Sequence, residues 1–256
     1  MNKIDKKFEY LKRNNESALI VYLTAGYPGI KESIKYIKES SLYADIIEIG
    51  IPFSDPIADG KTIQYASNIA LKNKVSLNKI FEEIAKIEIE TPLVIMTYLN
   101  PVLAFGIEKF FKKISQIGIS GLIVPDIVVE ESGLIKKFAD NYRINLIQLI
   151  APTSNRERIR LIGKMSSGFV YCVSVTGTTG VRKNLPETLP LFIRKVKSIV
   201  KKPVVVGFGI SNPGQVKRLC QVADGVVIGS RIIEAIRNRE DLKLLLKKFK
   251  EATIRE

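Results

Sequence analysis

Short runs of Val, Ile and Leu alternate along the chain with longer segments in which apolar positions recur every three or four residues. Eight runs have the length of strands: ALIVYLTAG (18–26), DIIEIGIPF (45–53), PLVIMTYLN (92–100), GLIVPD (121–126), NLIQLIAP (145–152), FVYCVSV (169–175), PVVVGFGI (203–210) and GVVIGS (225–230). They are continuously apolar rather than alternating, the pattern of parallel strands covered on both faces. The segments between them, such as GIEKFFKKISQIG (106–118) and LPLFIRKVKSIV (189–200), carry the spacing of amphipathic helices. Eight strand–helix units in 256 residues predict an α/β fold of the (β/α)8 TIM-barrel class. The expected organisation is one domain over 1–256, with a short helix in the extension 1–17 ahead of the first strand. A doubly wound open sheet is the alternative, but it rarely needs eight strands with so few insertions. Ala44-Asp45-Ile-Ile-Glu-Ile-Gly50 and Ala223-Asp224-Gly-Val-Val-Ile-Gly229 echo each other, a hint of repeated units too short to establish one.

Composition narrows the chemistry. A hydrophobic content of 46% suffices for a large core, and no stretch reaches transmembrane length. The opening MNKIDKKFEYLKRNNESAL lacks the apolar stretch of a secretion signal, so the glycosylation pattern at Asn15-Glu16-Ser17 carries no weight. Cys172 and Cys220 fall in different elements without metal-type spacing and read as reduced thiols of an intracellular protein. The expected compartment is the cytoplasm, or the plastid stroma in a plastid-bearing source. A net charge of +14 invites a nucleic-acid reading, but the lysines are scattered pairs on separate helices with no aromatic interleaving. The chain contains no histidine. Proton transfer must therefore use carboxylates, Tyr, Lys, Cys or water, and histidine triads and histidine metal sites are excluded.

In such barrels the chemistry gathers on the loops after the C-terminal ends of the strands. Glu48 stands inside an apolar strand, where an unpaired charge is costly and the carboxyl pKa rises toward neutrality. That property suits a general acid/base, although a buried Glu satisfied by Lys or backbone amides reads equally well. Asp59 lies in the following loop, FSDPIADGKTIQ. Alone it is a turn residue, because Asp-Gly is a turn dipeptide; beside Glu48 it forms a carboxylate pair able to hold two protonation states. Gly207-Phe208-Gly209 ends the seventh strand and Gly229-Ser230 the eighth. Small residues there expose backbone amides next to helix N-termini, a phosphate cradle, or else simply make tight turns. The third glycine of a dinucleotide fingerprint is missing. The Gly/Thr-rich TGTTGVRKNLPETLP after the sixth strand reads as a lid. Tyr171, Tyr22, Tyr98 and Phe208 lie near strand ends, where each could wall a ligand or simply pack. These readings reach a barrel binding a small phosphorylated ligand, with a carboxylate pair for proton transfer.

The segments EIGIPFSDPIADG, TAGYPG, PDIVVEES, YCVSVTGTTG, GFGIS and IGS, in this chain order, resemble the tryptophan synthase alpha chain family from about Tyr22 to the eighth strand. The resemblance implies a lyase of L-tryptophan biosynthesis that cleaves indole-3-glycerol phosphate to indole and glyceraldehyde 3-phosphate. It makes Glu48 the acid/base at indole C3 and the glycerol hydroxyl, and Asp59 the partner of the indole nitrogen. It puts phosphate on Gly180, Gly209, Gly229 and Ser230, Tyr171 beside Glu48, and Thr179 of the lid onto Asp59. Tyr22, Tyr98, Ile150 and Phe208 become the walls of the indole pocket. It implies no cofactor in this chain and no metal, pyridoxal phosphate being carried by a beta chain within an α2β2 complex. Pro52, Asp55, Pro56 and Asn100 then face that partner.

Five positions depart from the family pattern: Lys61 for Pro, Thr178 for Val, Val128 for Pro, Arg231 for Ala, and Tyr22 for Phe. None removes a catalytic group, and Arg231 could reach the phosphate. Three other readings stand beside the lyase subunit: a non-catalytic partner that activates a beta chain, a stand-alone indole-3-glycerol-phosphate lyase, and a different phosphosugar isomerase barrel, which would leave the PFSDPIADG loop unexplained.

Overall fold

A computed structural model describes residues 1–173, 186–207 and 209–255. Eight parallel strands close into a barrel in the order of the chain: β1 (Ala18–Thr24), β2 (Ile46–Gly50), β3 (Leu93–Met96), β4 (Ile119–Ile123), β5 (Asn145–Ile150), β6 (Val170–Val173), β7 (Val204–Gly207) and β8 (Gly225–Ile228). Pairing of β8 with β1, Ala18 opposite Gly225, completes the ring. The strands are buried almost throughout, as continuously apolar runs require when side chains on one face fill the barrel and those on the other meet helices.

Twelve helices accompany the strands among the described residues: α1 (Lys3–Arg13), α2 (Ile30–Ser40), α3 (Lys61–Lys72), α4 (Leu77–Ile84), α5 (Leu99–Phe105), α6 (Ile107–Gln116), α7 (Gly133–Asn141), α8 (Arg156–Met165), α9 (Leu189–Ile199), α10 (Pro213–Cys220), α11 (Ser230–Arg237) and α12 (Leu242–Glu251). Several boundaries differ from the apolar pattern: β1, β2 and β5 stop two or three residues short of their runs, β4 begins before its run and ends within it, and β3 differs most. The run 92–100 predicts a strand to Asn100, yet β3 stops at Met96 and Leu99 opens a helix. Pro101 is tolerated in a first helical turn, and the Asp126 carboxylate accepts the orphan Leu99 N–H at 2.9 and 3.2 Å.

Helix α1 stops the N-terminal end of the barrel. Its apolar stripe, Ile4, Phe8 and Leu11, is buried, and Ile4 Cδ1 fills the space a side chain at Gly121 would take, 2.8 Å from an ideal Cβ. Asn2 fixes the approach, accepting from its own helix at Ile4 and donating to Ser120 O at 2.8 Å.

The Ala-Asp echo marks one device used twice on that end. Asp45 accepts the Leu19 N–H at 2.9 Å while its own N–H donates to Leu19 O. Asp224 does the same to Val204, accepting at 2.9 Å and donating at 2.8 Å. Each thereby clips the start of its strand to the strand before it. Each carboxylate also meets cations: Lys250 at 2.9 Å for Asp45, and Lys197 at 2.6 Å and Arg255 at 3.5 Å for Asp224. Lys250 also binds Glu16, and the Arg255 guanidinium donates to Ser17 Oγ and Ala223 O. The C-terminal segment therefore locks the seam between β8 and β1. Asp45→Ala leaves the Leu19 N–H without its side-chain acceptor and takes one of two carboxylates from Lys250, so we expect a loss of about 2–4 kcal/mol in urea denaturation. A loss under about 0.5 kcal/mol would show the clip to be incidental.

Candidate functional site

The opposite end of the barrel holds a chamber lined by Tyr22, Glu48, Asp59, Ile63, Met96, Tyr171, Gly209, Ile210, Val227, Gly229 and Ser230. Glu48 is placed by β2, in register with Tyr22 of β1 and Val94 of β3. It is 1% exposed, and its Oε2 has no hydrogen-bond partner. Burial pushes its carboxyl up to about 8, and the nearby charge of Asp59 adds to the rise. Among the described residues neither a lysine nor a backbone amide bonds it, which speaks against the satisfied-core reading.

Two tyrosines crowd the acid, and two glycines make room for them. An ideal Cβ on Gly50, two residues beyond Glu48 and on the same face, would lie 2.0 Å from the Tyr22 hydroxyl. One on Gly207 would lie 2.2 Å from the Tyr171 hydroxyl. Each phenol thus occupies the space of a missing side chain on the next strand. Burial raises both phenol pKa values well above the ordinary range; Asp59 contributes next for Tyr22, and Glu48 next for Tyr171. Both phenols keep their protons at neutral pH and stand beside the carboxylates.

Asp59 comes from the loop between β2 and α3 and is held from both sides. Gln64 of α3 donates to its backbone carbonyl at 2.7 Å, and the Tyr98 hydroxyl lies beside its carboxylate and favours the charged form. That hydroxyl accepts the Ala58 N–H at 3.1 Å, and the Tyr98 ring stacks on Phe53 at 5.1 Å. The loop is pinned to the end of β3 by one side chain. Burial lifts Asp59 to about 6, the Tyr98 hydroxyl opposing the rise. Between pH 6 and 8 the pair carries one proton, mostly on Glu48.

The two helices that start nearby differ at their N-termini. On α10, Asn212 accepts the Gln215 N–H at 3.0 Å, and Gln215 accepts from Ser211 at 2.7 Å and Asn212 at 3.4 Å. Those amides are taken. On α11 no side chain caps the terminus, and the residues that open it, Gly229 and Ser230, line the chamber. A left-handed Gly209, φ 78°, adds a turn no Cβ favours. An anion in the chamber therefore meets the α11 end.

The barrel brings Glu48, Asp59, Tyr22, Tyr171, Gly209, Gly229 and Ser230 into one chamber, with Tyr98 in contact through Asp59. Thr178, Thr179, Gly180 and Phe208 lie outside the described residues. Ile150 is not among the lining residues. Ile147 reaches the barrel interior beside Gly121, so the period of two along β5 turns Ile150 to the outer face. Arg231 is held by Glu240, Nη1 to Oε1 at 3.1 Å, rather than aimed at an anion. Of the expected partner contacts, Pro52 is buried, which removes it as a surface residue; Asp55 and Asn100 are exposed and Pro56 is half-buried. Ile63, Met96, Ile210 and Val227 line the chamber without having been singled out in the sequence. Met96 and Val227 sit at or near strand ends, the one signal that could have found them; Ile63 and Ile210 look like ordinary packing residues.

Comparison with known proteins finds a match over residues 8–255 to the family model described as Tryptophan synthase alpha chain. Relatives of that name include one from Thermoanaerobacter sp. (strain X514), 44% identical over 241 residues, covering 92% of this chain and 91% of its own length. One from Bacillus cereus (strain ATCC 14579) is 45% identical over 245 residues, covering 94% and 93%. Among solved structures, Mycobacterium tuberculosis tryptophan synthase superposes with a TM-score of 0.93 at 33% identity, covering 100% of this chain and 99% of that one.

The raised pKa of Glu48 has a consequence for stability. The folded chain keeps this proton up to about pH 8, whereas an unfolded chain releases it near 4.5. Stability is therefore full below 4.5 and erodes as pH rises to 8, by an amount on the order of a few kcal/mol. Glu48→Gln removes that penalty: we expect the variant to match the parent in urea denaturation at pH 4.5 and to exceed it at pH 9. An increment independent of pH would contradict this.

Proposed function

The chain belongs to the tryptophan synthase alpha chain family, and from that premise we propose how its barrel cleaves indole-3-glycerol phosphate to indole and glyceraldehyde 3-phosphate. The observation that carries the proposal is the buried carboxylate pair, Glu48 at about 8 and Asp59 at about 6, in one chamber with an uncapped helix end. Two carboxyls at those values hold the proton and the charge that a retro-aldol cleavage needs near neutrality.

Glu48, protonated, gives its proton to indole C3, while ionised Asp59 takes the proton of the ring nitrogen. The ring becomes an indolenine, and C3 is now bonded to a carbon that can leave. Glu48, as carboxylate, then accepts the proton of the hydroxyl on that carbon. The O–H electrons form the aldehyde, the C3–C bond breaks toward the ring, and Asp59 returns the nitrogen proton. Both carboxyls end as they began. Tyr171 and Tyr22 bear on the charge that appears on Glu48, and Tyr98 holds Asp59 in place. The phosphate rests on the amides at Gly229 and Ser230, with Gly209 beside them; Gly180 and Thr179 are assigned to the same ligand by family resemblance alone, as is the Phe208 wall.

Membership of the family implies a beta chain as partner. We place its contact on the exposed part of the β2–α3 loop and the start of α5, at Asp55, Pro56 and Asn100. Ile57, 75% exposed in that loop, and Leu103, 46% exposed on α5, give the surface an apolar component. An α2β2 assembly, with pyridoxal phosphate on the beta chain, completes the proposal. No helix among the described residues is long and apolar enough to cross a membrane, in keeping with a cytoplasmic setting.

Two measurements test this reading. Glu48→Gln should abolish indole release from indole-3-glycerol phosphate, alone and with a beta chain, while circular dichroism shows a folded protein; a folded variant with full activity would refute the assignment. In the parent chain kcat/KM should follow a bell, falling below about pH 6 as Asp59 protonates and above about pH 8 as Glu48 ionises. A profile flat from pH 5 to 9 would remove the pair from the chemistry.

A further inference from the structure

We propose that a second cavity, between the β4–α7 connection and helix α8, is a binding site for a compact, flat, neutral molecule that carries a carboxamide edge. The cavity measures about 270 Å3 and shares no lining residue with the chamber around Glu48. Its walls are apolar: Ile127 and Val129 from the connection, Leu149 of β5, Ile162 of α8 and Val173 of β6.

Three polar residues, Gln148, Ser154 and Arg158, interrupt the apolar wall, and Gln148 alone among them carries a wholly buried polar atom without a partner. Gln148 lines the cavity and is 4% exposed. Its Nε2 is wholly buried with no partner, and its side chain makes no hydrogen bond among the described residues. A buried amide left unpaired is costly and uncommon in folded proteins. A core position of this kind would hold Leu or Met at no such cost, so the amide points to something that pairs with it.

The surroundings define what pairs. An amide offers a donor and an acceptor along one edge, and another amide edge answers both. The nearest cation in the wall, Arg158, is bound by Glu130 through both of its terminal nitrogens, at 2.6 and 3.2 Å. Among the described residues no free positive charge remains in the wall to draw in a carboxylate or phosphate, which favours a neutral ligand. The volume stands at the small end of ligand pockets and suits a body of about ten non-hydrogen atoms.

Benzamide is the probe, and isopropylbenzene, of the same shape without the polar edge, is its control. The readout is methyl NMR of the full chain labelled at Ile, Leu and Val. Benzamide should shift the methyls of Val129, Leu149, Ile162 and Val173 saturably and bind at least tenfold more tightly than isopropylbenzene. Gln148→Met, close in volume, should lose that preference while its ligand-free spectrum remains that of a folded protein. Four results would overturn the proposal: no saturable shift at these methyls, shifts confined to Ile63, Ile210 and Val227 of the other chamber, a preference for isopropylbenzene in the parent chain, or a benzamide preference untouched by Gln148→Met. Should Gln148→Met fail to fold, the ratio of the two probes on the parent chain decides alone.

Discussion

Everything at the mouth of this barrel follows from keeping one carboxyl away from water. Glu48 is useful because it is dry: in solvent its proton would be gone well below neutral pH, and with a lysine beside it the same would hold. The closed strand ring supplies the dryness, and the two phenols seal what the ring leaves open. The phenols in turn need space, which is why β2 and β7 end in glycine. Asp59 has to come close enough to share the charge yet remain the more acidic of the two. Partial burial and a single hydroxyl from Tyr98 set that balance. A chain that changed any of these would still be a barrel, but the order of the two protonations could reverse.

The barrel was legible because parallel strands covered on both sides leave continuous apolar runs, and eight such runs in this length suit few other architectures. The ends of the runs were less legible. Apolar residues beyond Met96 look like more strand, and only the Asp126 carboxylate, far along the chain, tells Leu99 to start a helix. The acid at the site was visible for the reason that makes it work: Glu within an apolar strand contradicts its neighbours. Asp59 carried no such signal, since Asp-Gly is common in turns; resemblance, then proximity in space, raised it above that reading. Ile150 shows the cost of a one-residue error in a strand, where adjacent side chains face opposite ways. Ile63 and Ile210 were invisible, because an apolar wall residue and an apolar core residue are the same in one dimension.

The two ends of the barrel divide the work. At the N-terminal end the strand-clipping carboxylates are paired: Asp45 and Asp224 each meet a backbone amide and a cation, and Lys250 bridges two carboxylates. At the C-terminal end polar groups are left incomplete, with an orphan oxygen on Glu48 and an uncapped helix at Gly229. Satisfaction makes a scaffold rigid, and deficiency makes a site receptive. Placing the two at opposite ends of the same strands lets the first hold the second without competing for the same groups.

The seam between β8 and β1 has a meaning for how the ring comes into being. Ser17 reaches a carbonyl 206 positions further on, and Arg255 returns to Ser17 across 238 positions. A growing polypeptide that already contains seven strands still has two unpaired edges, each a row of open amides and carbonyls. They meet only when the eighth strand has been synthesised, and Arg255, which fastens them, follows it in the chain. Until then the half-made cylinder is a sticky curved sheet, and the charges that follow the eighth strand act as the clasp.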